Sequence, residues 1–191
     1  MTSGTVSRTM RDRVVDAAIR VTTERGWAKV TMSRLADDVG VSRQTVYNEV
    51  GSKNDLAEAM VERELARFLS VVVEAFDAHP DDLVAAIRTS TRGVLEHAHD
   101  NRLLHAVVSA THGADTELLP LLTTNSEALL STAKAVLVER VTTHDLDLPD
   151  DRRDAVVDTV VRVVLSHVMQ PSADPVATAD DVAWIAARVL R

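Results

Sequence analysis

Apolar residues recur along this chain at spacings of three and four rather than two. Within Arg13–Val21, Val14, Ala17, Ala18 and Val21 fall at i, i+3, i+4 and i+7, which is one helix face, and Gly26 after Arg25 is a left-handed stop. Two short helices are predicted next. The first covers Met32–Val39, started by Thr31 or Ser33 and ended at Gly40; the second covers Arg43–Val50, capped by Ser42 and stopped at Gly51. Ser52-Lys-Asn-Asp55 reads as a capping box with Asp in place of Glu, opening a long helix to about His79. Beyond Pro80 the same spacing continues. Leu83, Ile87, Val94 and Leu95 mark one helix, and Leu103–Val108 mark a short one ending near Gly113. A long helix is predicted from Leu118 to about Val141, with Pro120 in its first turn or at a break. Asp150–Gln170 is rich in valine, but Val156, Val157, Val160, Val161, Val164, Leu165 and Val168 keep helical spacing, so periodicity overrides β propensity. After a loop at Pro171–Pro175, Thr178-Ala-Asp-Asp181 is expected to cap a last helix to Leu190. The expected fold is all-α with about nine helices: a three-helix N-terminal domain over 1–53 and a helical body over 54–191.

Composition narrows the function classes. At 191 residues, 46% hydrophobic and 26% charged, the chain reads as folded and globular rather than disordered. Its few aromatics (Trp27, Tyr47, Phe68, Phe76, Trp184) argue against an RNA-binding sheet that stacks bases, and Phe68, Phe76 and Trp184 are expected in the core. The absence of cysteine removes disulfides, thiol nucleophiles and cysteine zinc sites. No 18-residue apolar run and no basic leader with an apolar stretch occur, so no membrane partner is expected and the cytoplasm is the expected compartment. The net charge of −8 is unevenly placed. Residues 1–53 carry nine Lys and Arg against six Asp and Glu, a balance of +3, whereas residues 54–191 carry twelve against twenty-three, a balance of −11. A basic head on an acidic body points to a nucleic-acid-facing N-terminus.

The segment Thr31-Met-Ser-Arg-Leu-Ala-Asp-Asp-Val-Gly-Val-Ser-Arg-Gln-Thr-Val-Tyr47 has the features of a helix-turn-helix. Ala36 is small where two helices cross, Gly40 supplies the turn, Val41 and Val46 pack beneath it, and Ser42 caps the second helix. Arg43, Gln44, Thr45 and Asn48 are then candidates for base-edge or groove contacts, since Arg bonds guanine bidentately and Gln or Asn does so with adenine. Thr31, Ser33 and Ser42 stand at helix starts, where N–H groups favour phosphate. Arg8, Arg11 and Arg13 form either an arm for the neighbouring groove or a disordered tail.

Residues 10–56 resemble the DNA-binding domain of TetR-family transcriptional regulators. The likeness rests on Ala17-Ala18, Glu24-Arg-Gly-Trp27, Thr31, Leu35-Ala36, Gly40-Val-Ser42, Val46-Tyr47 and Gly51-Ser-Lys53-Asn-Asp-Leu56. Beyond residue 56 it lies only in helicity and length. It implies that Tyr47 and Lys53 grip phosphate, and that the body binds an effector and dimerises. Thr22 stands where the family often carries Phe, and Val50 replaces another frequent Phe, which predicts a differently packed small core; Glu49 adds a negative charge near the phosphates.

The Asp150–Gln170 helix is apolar almost all round and the last helix is apolar on one face. A four-helix isologous interface between two copies is therefore expected, from Val157, Val160, Val161, Val164, Val168, Val182, Ala186 and Val189. The cavity that the resemblance implies is expected to be lined by Leu69, Val72, Phe76, Leu104, Val108 and Leu122, with His105, His112 or Asn125 holding a polar end. So aliphatic a lining suits a small hydrophobic effector such as an acyl chain better than an aromatic cation. The seven histidines (His79, His97, His99, His105, His112, His144, His167) contain no i, i+4 pair around a carboxylate, so no metal or other cofactor is expected. No serine or aspartate lies in a nucleophile elbow or phosphate loop, which argues against an enzyme. The expected function is a homodimeric repressor released from a pseudo-palindromic double-stranded DNA operator by its effector. An activator on the same fold is the alternative, and a helical enzyme or lipid carrier the competing class.

Overall fold

The structure, a computed structural model, describes residues 9–110, 126–144, 146 and 148–190, with every side chain in them except those of 107–110 and 126. Among the described residues there are nine α-helices, one single-turn 3-10 helix at Trp27–Lys29 and no strand. The all-α expectation is met. The chain packs as two compact units, Met1–Arg63 with Arg102–Thr124 and Glu64–Asn101 with Asn125–Arg191.

In the first unit, α1 (Met10–Arg25) starts at Thr9, whose side chain and Asp12 form a reciprocal capping box. It ends at Gly26 with φ 86°, as its glycine foretold. Helix α2 (Met32–Val39) is capped by Thr31, not Ser33, and stops at Gly40 in the left-handed region (φ 77°, ψ 41°). Helix α3 (Arg43–Val50) follows after Ser42, and α4 (Lys53–Ala78) opens with Ser52 and Asp55 bonding each other's backbone N–H at 3.2 and 2.7 Å. Helix α6 (Arg102–Ala110) adds Leu103 to the same core. Val14, Ala18, Leu35, Val46 and Leu56 are fully buried there. Thr22 joins them: its Oγ1 donates to the Ala18 carbonyl at 2.8 Å, which satisfies the hydroxyl inside the core. Val50 is buried as well, so both positions that depart from the family pattern lie inside the core.

The second unit joins the later part of α4 to α5 (Leu83–Asp100), α7 (Ser126–Thr142), α8 (Asp150–Met169) and α9 (Pro175–Val189). Its core is built from Val72, Phe76, Ile87, Val141, Val157, Val161, Val182 and Ala186. Ala86, Ala179 and Ala183 are small enough for α5 and α9 to lie close along their length. The valine-rich segment is helical, as its spacing required. Residues 118–125 of the helix expected from Leu118 lie outside the described residues. One start was misplaced. Helix α9 begins at Pro175, with Asp174 Oδ1 accepting from the N–H groups of Val176 and Ala177 at 3.0 Å, and Thr178 is buried in its first turns. Proline at the first helical position after an Asp outranks a later Thr, because its missing N–H would be unpaired there anyway.

Candidate nucleic-acid interface

Helix α3 has eight residues, too few to be stable alone, so its inner face must hold it. Val46 and Val50 do so from the core, half-buried Val41 packs beneath the turn, and Ser42 Oγ accepts from the Thr45 N–H at 3.0 Å. The opposite face is left polar. Arg43, Gln44, Tyr47 and Asn48 are exposed, whereas Thr45 and Glu49 are half-buried. The four exposed side chains are ordered in two parallel pairs one turn apart. Arg43 Nη2 donates to the Tyr47 hydroxyl at 3.1 Å with its guanidinium 5.4 Å from the ring centre, and Gln44 Nε2 donates to Asn48 Oδ1 at 3.0 Å. Such pairs hold donors and acceptors outward in preset rotamers, which is what base-edge reading needs.

Thr31 and Ser33 are exposed at the start of α2, and Thr31 Oγ1 accepts from the Arg34 N–H at 3.2 Å. Lys53, at the start of α4, has its ammonium 4.8 Å above the Trp27 ring, a cation–π contact that orients the charge. Next to it, Asp55 is held below the usual carboxylate range by hydrogen bonds from the Ser52 backbone and hydroxyl. All nine sequence-predicted residues thus lie on the first unit, at two helix starts and along α3.

The arm fares differently. Arg13 Nη2 donates to the Val39 carbonyl at 2.8 Å, closing the C-terminus of α2, so Arg13 is a structural clasp. Arg11 is exposed, and Arg8 lies outside the described residues. Sequence reasoning missed Arg63 on α4, which donates to the Asp12 carbonyl at 3.0 Å, to Asp16 at 2.6 Å and to the Asp12 carboxylate, tying α4 to α1. An Arg facing two acids 47 and 51 residues earlier leaves no local signal.

The expected effector lining is shared between the two units. Val72 and Phe76 are buried and Leu69 half-buried in the second unit, while half-buried Leu104 and exposed His105 belong to the first. The side chain of Val108, and His112, Leu122 and Asn125 entirely, lie outside the described residues. The second unit holds an open cleft of about 290 Å³, lined by Phe76, Asp77, Pro80, Arg140, Thr143 and His144, and a small apolar cavity of about 30 Å³ that shares Phe76. Among the described residues no group of three His, Cys, Asp or Glu could hold a metal, and no helix is long and apolar enough to cross a membrane.

The residues expected at a dimer interface divide. Val157, Val161, Val182 and Ala186 turn inward and complete their own unit's core, Val160, Val164 and Val168 are half-buried, and Val189 is exposed. Outward along α8 and α9 stands another set: Val163, Leu165, Met169, Val176, Trp184 and Ile185. Trp184, expected in the core, is 60% exposed with Arg188 stacked 4.9 Å from its ring. A helix apolar on two sides does not declare which stripe its own core will take.

Two family models match the chain: bacterial regulatory proteins of the tetR family over residues 14–60, and the C-terminal domain of the bacterial tetracyclin repressor over residues 82–188. An HTH-type transcriptional regulator named AlkX from Mycobacterium tuberculosis is 31% identical over 172 residues, 90% of this chain and 81% of that protein. The crystal structure of the TetR family repressor AlkX from a Dietzia species, implicated in biodegradation of n-alkanes, superposes with a TM-score of 0.74 at 26% identity, covering 95% of each chain. A fatty acid degradation regulator from Bacillus halodurans shares the fold, with a TM-score of 0.53 at 21% identity over 92% of this chain and 93% of that one.

Proposed function

Because the chain belongs to the TetR family of HTH-type transcriptional regulators, which bind DNA and are not enzymes, we propose that it is a homodimeric cytoplasmic repressor released from its operator by a small hydrophobic effector. Residues 1–53 bind DNA in this reading, and residues 54–191 take the effector and dimerise. The carrying observation is the outer face of α3, where Arg43, Gln44, Tyr47 and Asn48 are exposed and pre-paired on a helix whose other face is locked by Val46 and Val50. Arg43, Gln44, Thr45 and Asn48 meet base edges; Tyr47, Lys53, Thr31, Ser33 and Ser42 meet phosphates.

Mobility shift on the DNA upstream of the chain's own gene tests this. Tyr47→Ala should weaken specific and random DNA alike, Gln44→Ala should change the preferred site, and affinity should fall steeply with salt. Unchanged binding to both DNAs in Gln44→Ala and Arg43→Ala would remove α3 as the reading helix.

The exposed apolar residues of α8 and α9 support the homodimer, since seven large ones there stand partly in solvent. A two-fold axis would then set two copies of α3 about 34–36 Å apart, or at a larger spacing, on a pseudo-palindrome. The aliphatic surroundings of Phe76, together with the alkane-linked Dietzia relative, support a hydrophobic effector. Release requires the effector to prefer a conformation in which the two reading helices no longer match the groove spacing.

A further inference from the structure

Helices α4 and α5 meet along a seam of three contacts, each about one turn from the next. At Gly93 an added Cβ would stand 2.6 Å from Val71 Cγ1, so a larger residue there would push the helices apart. One turn on, the His97 ring meets Phe68 edge to face, with the ring centres 4.6 Å apart. The third contact is polar and buried. The Glu64 side chain is 11% exposed; its Oε1 accepts from Asn101 Nδ2 at 2.5 Å and lies 3.1 Å from His97 Nε2, and its Oε2 accepts from Arg67 Nη1 at 3.1 Å. Asn101 is where α5 stops: its backbone is extended (φ −82°, ψ 96°), it is the last residue of this stretch of the second unit, and α6 begins at Arg102. Two residues on, Leu103 is buried in the core of the first unit with Val46 and Val50, the residues that seat α3.

We infer that Glu64 is a positioning residue for DNA reading, a statement that rests on the DNA-binding reading above. Its carboxylate holds Asn101, Asn101 fixes where α6 starts, and α6 carries Leu103 into the core beneath α3. Glu64 is buried, so it acts through Asn101 and not on the DNA itself. A buried carboxylate is a poor device for stability alone, because its desolvation offsets most of what its partners return and apolar side chains would fill the space as well. What it adds is direction. Its oxygens accept along defined lines and so admit one placing of the Asn101 amide, whereas apolar side chains would let the end of α5 slide against α4. Any such slide is passed on, because Leu103 follows two residues later and a close-packed core does not absorb a displaced side chain. The neighbouring residue on α4 has the matching duty: Arg63 is tied to the Asp12 carbonyl and to Asp16 on α1. One turn of α4 thus grips α1 with one residue and the start of α6 with the next.

Mobility shift of the full-length protein on the DNA upstream of its own gene tests this, with thermal melts and sedimentation on the same samples. Glu64→Met removes the acceptor, and Asn101→Asp sets a second carboxylate against the first. Both should bind that DNA roughly 3- to 30-fold more weakly while folded and assembled as the wild type. Glu64→Gln keeps an acceptor oxygen and should bind like the wild type. Combining Glu64→Gln with Asn101→Asp restores the hydrogen bond with its polarity reversed and should recover the affinity to within about twofold. Amide exchange of the α6 peptide gives a second reading that needs no DNA: it should quicken in Glu64→Met and Asn101→Asp and return to the wild-type rate in the double variant. If Glu64→Met does not fold, Asn101→Asp and the double variant carry the comparison. Wild-type DNA affinity in folded Glu64→Met or Asn101→Asp, or a double variant no tighter than Asn101→Asp, overturns the inference and leaves the regulator reading standing. A wild type that binds neither the upstream DNA nor random DNA removes the regulator reading instead. The exchange pattern then decides by itself: recovery in the double variant upholds Glu64 as the residue that places α6, and unchanged exchange in all variants overturns it.

Discussion

Replacing Trp184 by Glu addresses the assembly directly, because the side chain stands on the outer face of α9 while Val182, Ala183 and Ala186 form its inner face. A Trp presents roughly 150–250 Å² of surface. With 60% of Trp184 exposed, on the order of 100–150 Å² remains for a partner to cover. At about 25 cal/mol per Å², that is roughly 2.5–4 kcal/mol per protomer. A two-fold interface counts it twice. Even half coverage leaves about 3 kcal/mol, more than a hundredfold in the dimer dissociation constant. A carboxylate at the same place adds the cost of burying an unpaired charge, so the variant should be monomeric at about micromolar concentration. Sedimentation equilibrium of wild type and Trp184→Glu from about 1 to 50 µM reads the outcome. The circular dichroism spectrum should be unchanged, and binding to a palindromic operator should fall because the two half-sites are no longer linked. A variant that sediments as the wild-type dimer, or a wild type that is already monomeric and binds DNA normally, would refute the assignment of this face.

Three further outcomes follow from the same structure. Thr22→Val should leave the fold equal or up to about 1 kcal/mol more stable by urea denaturation, because a buried hydroxyl is exchanged for a methyl while the Ala18 carbonyl keeps its helical bond. Gly40→Ala should cost about 1–2 kcal/mol and weaken DNA binding in step: an added Cβ meets no atom within 4 Å, so the penalty is the left-handed backbone alone. Asp12, Asp55 and Asp158 are all held below the usual carboxylate range, the first two mainly by cap hydrogen bonds from Thr9 and Ser52 and the third by Lys134 and Arg162. Their stabilisation is present above the unfolded-state value, near pH 4, and is lost as pH falls through the lower folded values. The urea midpoint should therefore fall below about pH 4, and the triple Asp-to-Asn variant should show a shallower fall over that range.

What the amino-acid order determined by itself is what acts within about four residues. Gly26, Gly40 and Gly51 end helices because a left-handed residue must follow the last turn there, and Ser42 and the Ser52–Asp55 pair begin helices because their oxygens reach backbone N–H groups three positions away, forward from the serines and backward from Asp55. The polar outer face of α3 was legible for the same reason: Val46 and Val50, one turn apart, name the inner side and so the outer one. Residues that act over longer distances had to wait for the tertiary structure. Arg13 closes α2 through Val39, Arg63 binds acids on α1, and Leu103 enters the N-terminal core from mid-chain, all contacts between segments far apart in the chain. The stripes of α8 and α9 were decided in the same way. Val157 and Val161 are no more apolar than Val163 and Leu165, and only packing against Phe76, Ile87 and Val141 turned the first pair inward and left the second facing solvent. Periodicity establishes that a helix has an apolar side; which apolar side becomes core depends on the shape of the neighbours it must fill.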